Sequence, residues 1–350
     1  MTQITSHLGL TYDDVILRPQ YSDIRSRSDV NTSVELAKGI TLRIPLIAAS
    51  MHTVISVELA TKLWELGGIA QLHQFQSIEK EVEMLKEIKK RNAKVIGVVG
   101  AVRETYERAK ALVEEGVDML SIDTPHAHSI YAIEATKKLK KEFPNIPLLV
   151  GTVATKEGVE DLIKAGADSI KFGVGAGAAC TTRISAGVGV PQFSAILDGI
   201  LGMHDSGVTL IADGGIKIPA DLAKAIGAGA HAVMAGKIFA GTDEAPSELV
   251  EKDGKKYKIY MGEASAASKA DRAKNDPNYK GKTDEYVEGD AGLIPYGGSL
   301  ESVVNAFLNG LRSGMSYSGA RTVQEFHEKA IFMQVSQSAQ VESAAHGLIK

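Results

Sequence analysis

Eight short runs of β-branched and apolar residues recur along this chain, and they constrain its fold more than any other feature. They read IPLIAAS (44–50), IAQLH (69–73), KVIGVVG (94–100), MLSIDTP (119–125), PLLVGTV (147–153), SIKFGVG (169–175), TLIADGG (209–215) and AVMAGKIFA (232–240). A strand that is apolar almost throughout is one covered on both faces, as in a parallel sheet. Helical patterns such as SIEKEVEMLKEIKKRN and VRETYERAKALVEEG lie between the runs. Eight strand–helix alternations predict an α/β fold of the closed (β/α)8 TIM-barrel type rather than a doubly wound sheet. The segments LVEEGVDMLSID, LIKAGADSIKFG and AIGAGAHAVMAG repeat one design: a helix end stopped by glycine, a short turn, then a strand.

Length alone leaves two choices open. A chain of 350 residues fits two medium domains or one barrel with insertions. The strand count selects a single barrel domain over 1–350. The excess lies in two places. From about Glu263 to Gly292 the chain is Ala-, Lys-, Asp- and Gly-rich with little periodicity, and so long a loop in a compact domain is expected to be a functional flap. Residues 334–350 are polar and read as a tail. Between them, SLESVVNAFLNGLRSGMSYSG reads as an amphipathic helix returning to the barrel.

Composition removes several function classes. The formal net charge is −4, with 39 basic and 43 acidic residues, and no basic stripe suggests a nucleic-acid partner. No apolar run approaches the ~20 residues of a membrane span, and MTQITSHLGL lacks the charged-then-apolar pattern of a leader. The one cysteine, Cys180, excludes an intramolecular disulfide and any multi-cysteine metal site. A reducing, cytoplasmic location is the expectation.

In a barrel of this kind reactive groups gather at the C-terminal strand ends, which here offer Ser50, His73, Asp123, Cys180 and Asp213. Cys180 lies in FGVGAGAACTTR, a glycine-rich loop after the sixth strand. It reads either as a nucleophile, with Thr182 and Arg183 nearby to lower the thiol pKa, or as a small buried hydrophobe. IADGGI (211–216) and AGK (235–237) follow strands seven and eight, where barrels build phosphate sites from backbone N–H groups; plain turn chemistry is the other reading. DTPHAHS (123–129) holds His126 and His128, a pair that could bind zinc, although no completing ligand set stands out. Asp123 reads better as an acceptor for a sugar hydroxyl. The charged stripes at 77–92 and 103–115 read as solvated helix faces, and Trp64 as packing against the barrel.

At CTTRISAGVGVPQ (180–192) the chain resembles the IMP dehydrogenase / GMP reductase family. Further matching segments run in order: LTYDDVILRP (10–19), IPLIAASM (44–51), DTPHAHS, IADGGI, YKIYMGEAS (257–265) and GGSL…GLRSGMSYSGA (297–320). The regulatory CBS pair that many family members insert after the second strand is missing. The resemblance implies that Cys180 attacks C2 of a purine nucleotide and that hydride passes between that carbon and a nicotinamide. It implies Thr182 beside the reacting base and Arg272 as the arginine that activates hydrolytic water. Ser50, Met51, Asp213, Gly215, Gly236, Tyr260, Gly262 and Glu288 would bind the nucleotide, and Asp123 and His126 the NAD cofactor (NADP in a reductase). Carbonyls of Gly175, Gly177 and Cys180 would hold a monovalent cation, K+ by family habit, and the assembly would be a homotetramer.

The flap and the EGDAGLIPYGGSL stretch look more like a dehydrogenase, which makes XMP from IMP for guanine nucleotide biosynthesis. Gln74 stands where reductases carry Lys or Arg. Departures point the other way or to a binder without turnover: Ala178 for a serine, His52 for an aspartate, Ala273 for the tyrosine after the flap arginine, and the atypical Lys237 and Glu263. NADPH-dependent reduction of GMP to IMP is therefore the alternative. A non-catalytic nucleotide-binding homologue is the third reading.

Overall fold

The computed structural model describes residues 8–277, 279 and 281–343. A short strand, β1 (Val15–Leu17), and a hairpin of β2 (Val34–Ala37) and β3 (Ile40–Leu42) precede the barrel. The barrel strands and their helices then alternate: β4 (Leu46–Ala48), α1 (Val57–Leu66), β5 (Ile69–Gln71), α2 (Ile78–Lys90), β6 (Val95–Val99), α3 (Thr105–Glu114), β7 (Met119–Asp123) and α4 (Ile130–Glu142). The second half continues with β8 (Leu148–Val153), α5 (Lys156–Ala165), β9 (Ser169–Phe172), α6 (Thr182–Ser185), α7 (Gln192–Met203), β10 (Thr209–Asp213), α8 (Pro219–Gly227) and β11 (Ala232–Ala235). All neighbours pair in parallel and β11 closes back on β4, so the eight strands form one (β/α)8 barrel.

Each strand falls inside one of the eight apolar runs. Burial explains the agreement: nearly every residue of β4 to β11 is inaccessible to solvent, so alternation is absent and the runs are conspicuous. Helix ends follow local chemistry. Ser56, Ser77 and Thr155 cap α1, α2 and α5 through side-chain oxygens, and Gly67 and Gly166 close α1 and α5 in the left-handed region.

Three segments differ from the sequence reading. After α9 (Lys237–Ala240), β12 (Leu249–Lys252), β13 (Lys255–Met261) and β14 (Ala291–Pro295) form a three-stranded antiparallel sheet beside the barrel mouth. The stretch read as a structureless flap carries a helix, α10 (Ala266–Asn275), capped by Ser265. Its polar faces hid the helical period. The returning helix α11 (Leu300–Tyr317) buries Leu300, Val304, Phe307, Leu311 and Met315. After α12 (Val323–Lys329), β15 (Phe332–Gln334) pairs antiparallel with β1, and α13 (Gln337–Glu342) follows inside the stretch 334–350 that was expected to be a tail. Residues 344–350 of that tail reading lie outside the described residues.

The charged stripes also differ in one detail. Glu81 of α2 and Arg108 of α3 point inward, fully buried, and pair at 2.7 Å. Glu81 also accepts from Val98 N, and Arg108 donates to Gln76 O. Burial pushes the Glu81 carboxyl up to about 7 against the pull of Arg108. Trp64 packs partly buried against the core.

Candidate active site

A cavity of about 490 Å³ opens at the C-terminal ends of the barrel strands, within the range of small-ligand sites. Its walls come from elements far apart in sequence. Of the residues singled out above, Ser50, Met51, Asp123, Gly175, Gly177, Cys180, Thr182, Asp213, Tyr260, Gly262, Arg272 and Glu288 line it. Gly215, Gly236 and His126 do not. Gly236 lies just behind the wall: a Cβ there would come within 2.6 Å of Tyr260 Oη and 2.8 Å of Met51 Sδ. His126 is exposed beyond the mouth, its ring 6.3 Å from that of His128, which pairs with Asp161 at 3.2 Å. Among the described residues, no group of three or more His, Cys, Asp or Glu side chains is gathered to hold a metal.

The cysteine loop owes its shape to glycine. Gly175 has φ +80°, and Arg183 lies across it so closely that a Cβ would meet Arg183 Cγ at 2.8 Å. Arg183, read as a cation beside the thiol, donates instead to Val190 O. Gln192 Nε2 donates to Phe172 O at 2.8 Å and ties the loop to β9. Gly177 O accepts from Cys180 N at 3.1 Å. The flap side clamps the other edge: Thr181 N donates to Glu288 O, Asp290 N to Ala179 O, and Cys180 and Gly289 form a bridge.

Cys180 is exposed to the cavity, not buried as a small hydrophobe. Its Sγ lies 3.2 Å from Thr182 Oγ1, which donates to Glu288 Oε2 at 2.8 Å. A hydroxyl has one hydrogen, so the thiol is the donor to Thr182. The geometry lines up sulfur, hydroxyl and carboxylate in one hydrogen-bonded chain.

The cavity floor is charged. Lys171 of β9 is 2% exposed, with Nζ 2.5 Å from Asp123 Oδ1 and 3.6 Å from Asp213 Oδ2. Burial alone would lower its ammonium, but Asp123 and Asp213 outweigh this and hold it above its ordinary range. Burial raises Asp213 against the pull of Lys171. Asp123 also accepts from Ser50 Oγ at 2.5 Å and Gln71 Nε2 at 2.9 Å. Lys171 received no functional reading from the sequence, although a lysine inside an apolar barrel strand is itself a signal, because it needs a buried partner. His73, a strand-end candidate, is buried against His52, and burial pushes it down to about 3.

Over the mouth lies α10. Arg272 is flanked by the rings of Phe75, 5.1 Å away, and Tyr279, 4.8 Å away, and also pairs with Asp276.

Comparison with known proteins agrees with the barrel fold. A family model described as "IMP dehydrogenase / GMP reductase domain" matches residues 9–346. The inosine-5'-monophosphate dehydrogenase of Borreliella burgdorferi is 36% identical, over 97% of this chain and 96% of that one. The enzyme of the same name from Aquifex aeolicus is 32% identical, over 97% and 95%. Among solved structures, a cysteine-to-alanine variant of GMP reductase from Trypanosoma brucei, in complex with guanosine 5'-monophosphate, superposes with a TM-score of 0.93. It is 29% identical, and the match covers 99% of each chain.

Proposed function

This chain belongs to the IMP dehydrogenase / GMP reductase family, and from that premise we propose that it oxidises IMP to XMP through a covalent adduct on Cys180. The observation that carries the reading is the Cys180–Thr182–Glu288 chain opening on the same cavity as Asp213.

In this mechanism the Cys180 thiolate adds to C2 of the purine, its proton having moved to Thr182 and on to Glu288. Asp213, paired with Lys171 at 3.6 Å, accepts from the ribose hydroxyls. Gly236, where Tyr260 Oη and Met51 Sδ fill the space of a Cβ, lets those two side chains seat at the cavity wall, and its turn offers backbone N–H to the phosphate. Lys237, exposed at the same turn, offers the phosphate a charge in place of the hydroxyl that Ala178 lacks. The donor set also suits a nicotinamide dinucleotide: Asp123 offers a carboxylate at the cavity floor, and its four lone-pair sites are not all taken. When bound, that cofactor accepts the hydride from C2. Arg272 on α10 then orients water to release XMP and restore the thiol, while the flap segment excludes solvent. Backbone carbonyls at Gly175, Gly177 and Cys180 are the oxygen donors a hard monovalent cation such as K+ prefers, and Gly177 O keeps a lone pair after accepting from Cys180 N. Assembly as a homotetramer and a cytoplasmic location complete the reading.

Reduction of GMP to IMP is the second reading. It is favoured by the close superposition on a GMP reductase and by Ala273 after the flap arginine, because reductive deamination needs no hydrolytic water. Nicotinamide absorbance decides between them. IMP with NAD+ and K+ is expected to raise it, and Cys180→Ala to abolish the rise. Absorbance falling with GMP and NADPH, and no change with IMP, would overturn the dehydrogenase reading.

A further inference from the structure

Glu263 follows Gly262 beyond β13 and lines the cavity. Its Oε1 lies 3.3 Å from Ser50 Oγ, and Ser50 Oγ lies 2.5 Å from Asp123 Oδ2. A serine hydroxyl has one hydrogen and two lone pairs, so Ser50 can donate to only one of these carboxyls. The shorter contact goes to Asp123, which also receives the Lys171 ammonium and the Gln71 amide. Three donors converge on Asp123, as on a charged acceptor. Glu263 therefore faces a Ser50 lone pair, and its contact is a hydrogen bond only when Glu263 carries the hydrogen.

Charge points the same way. The groups that face Glu263 are Asp123 at the end of β7, Lys171 of β9 and Asp213 at the end of β10, with the Tyr260 hydroxyl of β13 beside them. One cation already serves two carboxylates. A third ionised carboxyl would add an uncompensated buried charge. Burial first, and Asp123 second, hold the Glu263 carboxyl well above the usual range.

We propose that Glu263 is a positioning residue that acts as a neutral carboxylic acid, donating to Ser50, which donates to Asp123 and so fixes the acceptor face offered to the ribose of the nicotinamide dinucleotide. This rests on the cofactor role given to Asp123 above. Loss of the proton breaks the chain and sets two carboxylates on one hydroxyl. Dinucleotide binding therefore weakens as pH rises through the titration of Glu263. Glutamine at 263 keeps an N–H donor of the same shape and does not titrate.

The first measurement is the infrared difference spectrum between wild type and Glu263→Gln at neutral pH, without nucleotide. A protonated-carboxyl carbonyl stretch present only in wild type is expected, and a carboxylate band in its place overturns the proposal. The second is KM for the dinucleotide against pH. Wild-type KM is expected to rise with pH by about tenfold, the factor for one lost hydrogen bond near 1.4 kcal/mol. Glu263→Gln is expected to flatten that rise, and Glu263→Ala to raise KM at every pH with little change in kcat. A Gln variant as impaired as the Ala variant, or one that keeps the wild-type pH profile, overturns the proposal. If neither substrate pair is turned over, the functional reading fails, while the infrared result still decides the protonation of Glu263.

Discussion

The guanidinium of Arg272 lies 4.8 Å from the ring centre of Tyr279, so the flap brings an arginine and a tyrosine together although alanine follows the arginine in sequence. Tyr279 is seven positions on. The turn after α10, where Tyr279 N donates to Asp276 O at 3.0 Å, returns the ring to the cation. A contact of this kind stabilises by about 0.5–2 kcal/mol.

Under the dehydrogenase reading, Tyr279→Ala is expected to lower kcat by roughly 2- to 30-fold, the range that this contact energy allows. Arg272→Gln is expected to do more: a burst of nicotinamide reduction persists while the Cys180 adduct accumulates, visible by mass spectrometry of the quenched enzyme. Loss of the burst together with steady turnover would assign Arg272 to an earlier step.

Removing the cavity-floor cation leaves Asp123 and Asp213 buried without their partner. Lys171→Met is expected to destabilise the fold by about 3–5 kcal/mol at neutral pH, the usual result of breaking a buried pair. The sign with pH follows from the carboxylates. Without Lys171 they bind protons more readily when folded than when unfolded, so the deficit shrinks as pH falls. Denaturant unfolding at neutral and mildly acidic pH checks this, and a constant deficit would contradict it.

The close fit at Gly236 makes a further prediction. Its φ of −106° suits any residue, so Gly236→Ala costs little backbone strain and acts through the Cβ against Tyr260 and Met51. Nucleotide KM is expected to rise about tenfold, as when one charge-assisted phosphate contact is lost, with the melting temperature nearly unchanged.

His231 supplies an acid-sensitive joint on the barrel. Its Nδ1 accepts from Leu210 N at 3.2 Å, and the ring meets that of His327 at 5.4 Å. Burial, then the His327 charge, pushes His231 down from 6.5 to about 4. The unfolded chain binds the proton more readily, so stability is full above about pH 6.5 and lost as pH falls toward about 4. The loss is about 3 kcal/mol at most. Melting temperature followed over this range should fall less in His231→Gln than in wild type.

Much of the site was legible because strand ends in a barrel converge. Asp123 and Asp213 sit where runs of buried residues stop, and Cys180 stands in a loop whose glycines announce tight backbone. Lys171 was not read, since an apolar strand pattern says nothing about which interior residue meets which. Glu263 was visible as an oddity only; its contact with Ser50 spans 213 positions. His126 stands apart: a histidine just after a strand end that is exposed and does not line the cavity.

The amino-acid order alone determined the eight-stranded barrel, its helix caps and the identity of the nucleophile candidate, because these depend on local burial period, capping chemistry and one glycine-rich loop. The tertiary structure decided the α10 helix over the mouth, the inward Glu81–Arg108 pair, the lysine between two aspartates, and the meeting of Ser50 with both Asp123 and Glu263. Those depend on distances between strands far apart in the chain. In a low-dielectric floor, an ångström sets which carboxyl keeps its proton.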